Sequence, residues 1–363
     1  MMTKLFEAAT LGSIDVKNRI FMAPLTRNRA DNQTDILPDM AIDYYRQRAS
    51  AGLIITEATQ ISPMGKGYFA APGIYTQEQT AQWKKIVDAV HEEGGKIVLQ
   101  LWHVGRISHT SLLPDNARPH APSAVKAKAE TFTENGFESC SDPVEMTEDD
   151  IKSTISDYKT AVQNCITAGF DGVEVHAANG YLIQQFLSDQ TNKRTDQYGG
   201  NIENRARFLF EILDAVTGVM PADKVGIRFS PMVQGTNDLK ATNPLEDYTY
   251  IIDKLNNYSL AYMHFVEKFS HAALRNEDEH AVMVLREKWD GFYIANGDYN
   301  LIDATVAVNS GFADAIAFGK PFIANPDLPY RLKTGAAFNP DRTDTYYGGG
   351  AEGYTDYPFL KST

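Results

Sequence analysis

Two rhythms interleave along this chain. Short apolar runs recur at 19–22, 53–58, 96–101, 172–176, 225–229, 262–266, 291–295 and 313–319. Each is too short for a helix and is followed by a segment whose apolar residues fall three and four apart. The runs read as strands and the longer segments as helices. Helices are expected over 39–51 (Asp39 as cap, Gly52 as stop), 77–93 behind Thr76, 147–168, 201–219, 245–257, 281–288 and 300–309. In the segment 77–93, Trp83, Ile86, Val87 and Val90 share one face and Gly94-Gly95 ends it. Thr147 with Asp150 has the form of a capping box.

Before the first run, residues 5–20 alternate and turn like a hairpin. Between the third strand and the helix at 147, residues 105–146 show no clear period and carry several prolines. The alternation resumes afterwards, so this is an excursion and not a linker. The strands are continuous apolar runs, as parallel strands buried on both faces are. Eight such units predict a (β/α)8 TIM barrel with an N-terminal β-hairpin and a long excursion after strand three, as one domain over 1–363. An open doubly wound sheet is the alternative. No Gly-x-Gly-x-x-Gly follows an early strand, and Gly348-Gly349-Gly350 follows none.

Composition narrows the function classes. The chain has 363 residues, 43% hydrophobic and 22% charged, with a net charge of -13. An acidic protein without basic runs is not expected to hold nucleic acid or an anionic membrane. Cys140 and Cys165 have no CxxC partner, so neither a disulfide framework nor a zinc site is expected. The first residues carry no apolar run, and no segment reaches the roughly 20 apolar residues of a membrane span. A cytoplasmic location is the expectation.

Barrel chemistry collects where strands end. Those ends supply Pro24, Leu25 and Thr26, then Ala58, Gln100 and Trp102, then His176, Asn179 and Tyr181, Arg228, Asn296-Gly297-Asp298, and Gly319 with Lys320. Most are neutral hydrogen-bonding groups. No carboxylate pair and no metal-ligand cluster stands among them. Amide and hydroxyl groups with one Arg suit a planar polar heterocycle, and the glycine turns with Lys320 suit a phosphate. Flavin mononucleotide fits both ends. Each residue has a plainer alternative. Arg228 can pair a core carboxylate, Lys320 can be solvated surface, Thr26 can cap a loop and Gln100 can satisfy backbone. Glu57 and Glu174, inside strands, read as structural ion pairs.

Several stretches then resemble the old yellow enzyme family. These are Asn-Arg-Ile-Phe-Met-Ala-Pro-Leu-Thr-Arg at 18–27, Gln-Leu-Trp-His-Val-Gly-Arg at 100–106 and His-Ala-Ala-Asn-Gly-Tyr at 176–181. Asp-Gln-Tyr-Gly-Gly-Asn-Ile-Glu-Asn-Arg at 196–205, Ala-Asn-Pro-Asp-Leu at 324–328 and the tail from Tyr347 to Pro358 complete the series. The likeness covers essentially the whole chain. It implies non-covalent FMN reduced by NADPH or NADH, in a monomer or homodimer. Pro24, Leu25, Thr26, Ala58, Gln100 and Arg228 would surround the ring, with Asn296, Gly297, Gly319 and Lys320 towards the phosphate. His176 and Asn179 would bind a carbonyl or nitro oxygen, Tyr181 would protonate carbon, and Tyr68, Trp102 and Tyr347 would wall the pocket.

The implied reaction is reduction of activated C=C bonds in enones or maleimides, or of nitrate esters and nitro compounds. The alternatives are a non-catalytic flavin-binding or redox-sensing barrel, and a phosphate-binding isomerase or aldolase. Two departures from the family pattern stand out. Lys320 occupies the phosphate position where Arg is expected, a point charge in place of a bidentate fork. The loop 230–236 and the segment 267–280 also differ, on the substrate side.

Overall fold

The computed structural model describes residues 3–267 and 276–360, with the backbone alone at 276 and 277. Eight parallel strands close a barrel, numbered β1 (Ile20–Met22), β2 (Ile54–Ile55), β3 (Ile97–Trp102), β4 (Gly172–Ala177), β5 (Val225–Phe229), β6 (Tyr262–Val266), β7 (Tyr293–Asn296) and β8 (Ala315–Phe318). Closure comes from Ile316 pairing with Ile20 on one side and Val173 with Leu99 on the other. Helices stand between successive strands, which is the expected architecture.

Side-chain alternation explains why the strands read as continuous apolar runs. Outward residues such as Ile20, Leu99, Val175, Ile227 and Met263 pack against the helices. Inward residues Phe21, Ile55, Val98, Tyr262, Ile294 and Ala315 form a second apolar cluster. The N-terminal hairpin, Ala9–Leu11 against Ile14–Val16, inserts Leu11, Ile14 and Val16 into that inner cluster. It thereby seals the barrel at the end opposite the mouth. Above this floor the inward positions turn polar, with Gln100, Glu174 and His264, all buried. Gly226 is required there. A Cβ at Gly226 would lie 2.1 Å from the Tyr262 ring carbon Cζ.

Some elements differ from expectation. Helix Met40–Arg46 is shorter than 39–51, and Asp39 makes no cap bond. Its carboxylate instead accepts from Gln82. The second strand breaks after Ile55 and resumes at Thr59–Gln60; in the gap Thr56 Oγ1 accepts the Gln100 N–H and the Glu57 side chain accepts from the Tyr45 hydroxyl. The segment 201–219 is two helices, Ile202–Arg205 and Arg207–Thr217, jointed at Ala206. The excursion contains a hairpin, Glu130–Thr133 with Gly136–Ser139. Helices Leu182–Leu187, Lys320–Ala324 and Leu328–Thr334 were not anticipated. The divergent segment 267–280 falls largely at 268–275, outside the described residues. Thr147 forms its capping box and Thr76 caps its helix as expected, and Thr76 closes a capping box with Gln79 as well. No helix among the described residues is long and apolar enough to cross a membrane.

Candidate active site

A cavity of about 610 Å³ opens at the C-terminal ends of the strands. Of the residues singled out from sequence, Pro24, Leu25, Thr26, Tyr68, Tyr181, Arg228, Asn296, Gly297, Gly319, Lys320 and Tyr347 line it. Ala58, Gln100, Trp102, His176 and Asn179 do not line it but pack into its wall and floor. Ala58, Trp102, Tyr68 and Tyr181 share one cluster.

The loop after β4 sets the polar wall. The Ala178 N–H donates to His176 Nδ1 at 3.3 Å, so the ring proton of the neutral imidazole sits on Nε2. Burial, then the Arg228 and His264 charges, hold the His176 pKa well below its ordinary value. His176 is therefore a neutral donor throughout the physiological range. Asn179 adopts a left-handed backbone (φ 60°), with its N–H on Ser230 Oγ and its carbonyl accepting from Asn237. Its side-chain oxygen is buried without a protein partner.

Tyr181 follows. Its hydroxyl lies 3.2 Å from that of Tyr68. Its ring meets Trp102 and His176 edge-on, with centroids 5.1 and 5.2 Å away, and Tyr68 stacks on Trp102 at 5.6 Å. Burial raises the Tyr181 pKa despite hydrogen bonding to Tyr68 and Asn237, so the phenol stays protonated at neutral pH. The result is an aromatic box with a phenolic proton in one corner, facing the cavity.

Arg228, at the end of β5, donates to Asn296 Oδ1 at 2.8 Å, while its Nε has no protein partner. Asn296 is fixed in turn by donating to the Ala317 carbonyl. Gln100 lies one layer below, with Nε2 on Glu174 at 2.7 Å. Glu174 also accepts from His264 Nδ1 at 2.8 Å, so it is a structural anion in a hydrogen-bonded pair. Lys320 is exposed, at the first turn of helix Lys320–Ala324. Tyr347 is 62% exposed and forms the outer rim.

Asp298, singled out with Asn296 and Gly297, lines it too, whereas sequence reasoning missed Asn28, Phe132, Phe137, Tyr299 and Tyr346, which also line the cavity. Phe132 and Phe137 stand on the excursion hairpin, remote from any strand end. The Asn135-Gly136 pair, flanked by alternating positions, was the available signal for it.

Comparison with known proteins decides the family. The profile of the NADH:flavin oxidoreductase / NADH oxidase family matches residues 4–339. The chain belongs to that family. It is 42% identical over 357 residues to the putative 12-oxophytodienoate reductase 11 of Oryza sativa subsp. japonica, covering 97% of this chain and 96% of the relative. It is 38% identical over 360 residues to 12-oxophytodienoate reductase 2 of Arabidopsis thaliana, with 97% and 95% covered. The solved structure of morphinone reductase superposes with a TM-score of 0.94 at 46% identity, covering 99% of this chain and 96% of that one. The old yellow enzyme homologue from Zymomonas mobilis gives 0.94 at 37% identity, covering 98% and 100%.

This old yellow enzyme family member is a flavin oxidoreductase that works with FMN and a nicotinamide reductant. Its residues fit the flavin. The cavity floor presents a guanidinium with an unpartnered Nε beside the Thr26 and Asn296 side chains, a donor set suited to a planar ring with polar edges. The redox-sensing and isomerase alternatives drop away with the family. For the second of these, the strand-end Lys a Schiff base would need is Lys320, an exposed side chain.

Proposed function

We propose that this enzyme reduces electron-poor C=C bonds conjugated to a carbonyl, and that His176, Asn179 and Tyr181 perform the substrate half of the reaction. The observation that carries the proposal is the meeting of a fixed Nε2–H donor and a half-buried, protonated phenol in one aromatic box. When bound, FMN would supply the hydride for the β-carbon, with the nicotinamide as its reductant.

The protein's residues do the rest. His176 Nε2–H and the Asn179 amide donate to the substrate oxygen, where negative charge gathers as the bond is reduced. Neither donor changes charge near neutral pH, so substrate binding should be flat between pH 6.5 and 8.5. Tyr181 gives its proton to the α-carbon, and Tyr68, hydrogen-bonded to it, orients that hydroxyl. Tyr68, backed by the Trp102 ring stacked behind it, walls the alkene side of the pocket. Thr26 and, from the layer below, Gln100 would hold the flavin ring edges, and Arg228 would set a positive charge beside the ring to favour its reduced form. Lys320 and the turns at Gly297 and Gly319 hold the phosphate.

The test is Tyr181→Phe in stopped flow. Reoxidation of the reduced enzyme by cyclohexenone should slow by about 100-fold, the scale of a lost general acid. Reduction by NADPH should change less than about threefold. Equal slowing of both half-reactions removes Tyr181 from the proton-donor role.

A further inference from the structure

Beneath the cavity floor the barrel contains a charged side chain that the reaction does not touch. Glu174 and His264 are fully buried, with Gln100 1% and Arg228 6% exposed. Glu174 accepts from Gln100 Nε2 at 2.7 Å through one oxygen and from His264 Nδ1 at 2.8 Å through the other. The strand register makes this layer. Glu174 pairs with Gln100 across β4 and β3, and Arg228 with His264 across β5 and β6.

Each protonation state follows from the partners. Burial alone pushes the Glu174 carboxyl up, but His264, Arg228 and Gln100 outweigh it and hold it below the ordinary range. Burial pulls His264 down further than Glu174 lifts it, so the imidazole is neutral at neutral pH. An ionised carboxylate only accepts hydrogen bonds. Gln100 must therefore turn its nitrogen inward, which leaves its carbonyl oxygen outward. The same carboxylate offsets the Arg228 charge within a medium where charges are weakly screened.

We propose that Glu174 is a positioning residue for the flavin site: it fixes the amide orientation of Gln100 and, by balancing Arg228, sets how strongly the site favours reduced over oxidised FMN. The buried carboxylate costs several kcal/mol to desolvate, which an apolar residue in a purely structural layer would avoid. The inference rests on FMN binding in this cavity.

The test compares purified variants by FMN affinity in both redox states and by midpoint potential. Glu174→Gln keeps the shape and removes the charge. It should favour reduced over oxidised FMN about tenfold more than wild type, a shift of about +30 mV for a two-electron couple. Glu174→Asp keeps the charge but withdraws it from Gln100. Its affinity for both forms should fall together about tenfold while the potential holds. An unchanged potential in a folded, FMN-loaded Glu174→Gln overturns the charge-balancing role. Wild-type FMN affinity in Glu174→Asp overturns the positioning role, and this variant carries the test should the first fail to fold. Failure of the wild-type protein to bind FMN would instead overturn the reading of the cavity itself.

Discussion

Asn179, Gly180 and Tyr181 carry the chain from the end of β4 into helix Leu182–Leu187, and two of the three have positive φ. Gly180 has φ 80°, and a Cβ there would lie 2.7 Å from the Thr236 carbonyl oxygen and 2.9 Å from Asn237 Cβ. The turn can thus lie flat against the loop 236–239, whose Asn237 holds the Asn179 carbonyl. The close approach sets the height of Tyr181 over the cavity. Gly180→Ala meets both obstacles, the left-handed backbone, worth about 1 kcal/mol or more for a residue with Cβ, and the contact itself. It should destabilise the protein by about 2 kcal/mol and slow the enone half-reaction by at least tenfold. Urea denaturation and stopped flow read the two effects. Wild-type rates in Gly180→Ala would show that the turn does not position the phenol.

The element that shapes the outer wall is the tail, and two arginines two residues apart hold it. Arg27 donates to the carbonyls of Tyr346 and Gly353, both at 2.9 Å. Arg29 donates to Thr345, Gly350 and Glu352 at 3.0 to 3.3 Å, with its guanidinium 4.4 Å from the centroid of the Tyr354 ring. They lie one and three residues after Thr26, so the segment that contacts the cavity floor also clasps its rim. Arg29→Met keeps the apolar stem but removes the donors. It should cost about 1–3 kcal/mol, speed tryptic cleavage after Arg342, and raise KM for a bulky enone severalfold with little change in FMN content. An unchanged KM would separate the clasp from the pocket. Elements of this kind mark the limit of sequence reading. The strands were legible because burial on both faces makes apolar runs, and the helices behind Thr76 and Thr147 because capping boxes are local. The strand-end rule collected Thr26, His176, Arg228 and Asn296 at one mouth for the same reason. The rule has no purchase on Phe132, Phe137 or Tyr346, which arrive on a hairpin and a tail by long-range packing. Helix Leu182–Leu187 escaped because six buried residues show no amphipathic period.

Across the whole molecule, buried histidines set the acid side of stability. Burial, then the nearby His120 charge, pulls His103 down to about 3. Burial also lowers His120, His176 and His264, against Asp150 in the first case and Glu174 in the last. The unfolded chain takes up these protons near its ordinary pKa of about 6.5 while the folded chain does not. Their contribution to stability is complete above that value and is lost as pH falls towards the folded pKa values. Glu57 has the opposite sign. Burial, resisted by the Arg27 backbone N–H and then the Arg27 charge, pushes it up to about 7, so its contribution is present below its ordinary pKa and lost as pH rises through 7. Between about pH 5 and 6.5 the one carboxyl works against the imidazoles, which outnumber it. Stability should therefore fall as pH falls through that range and be nearly level from pH 7.5 to 8.5. Urea midpoints across that range measure it. His103→Asn supplies the decisive comparison. Its amide oxygen can still accept the Gly105 N–H that His103 Nδ1 accepts at 3.1 Å, yet it cannot titrate. The acid slope should drop by about one proton's worth, about 1.4 kcal/mol per pH unit, and an undiminished slope would show that His103 does not enter unfolding uncharged.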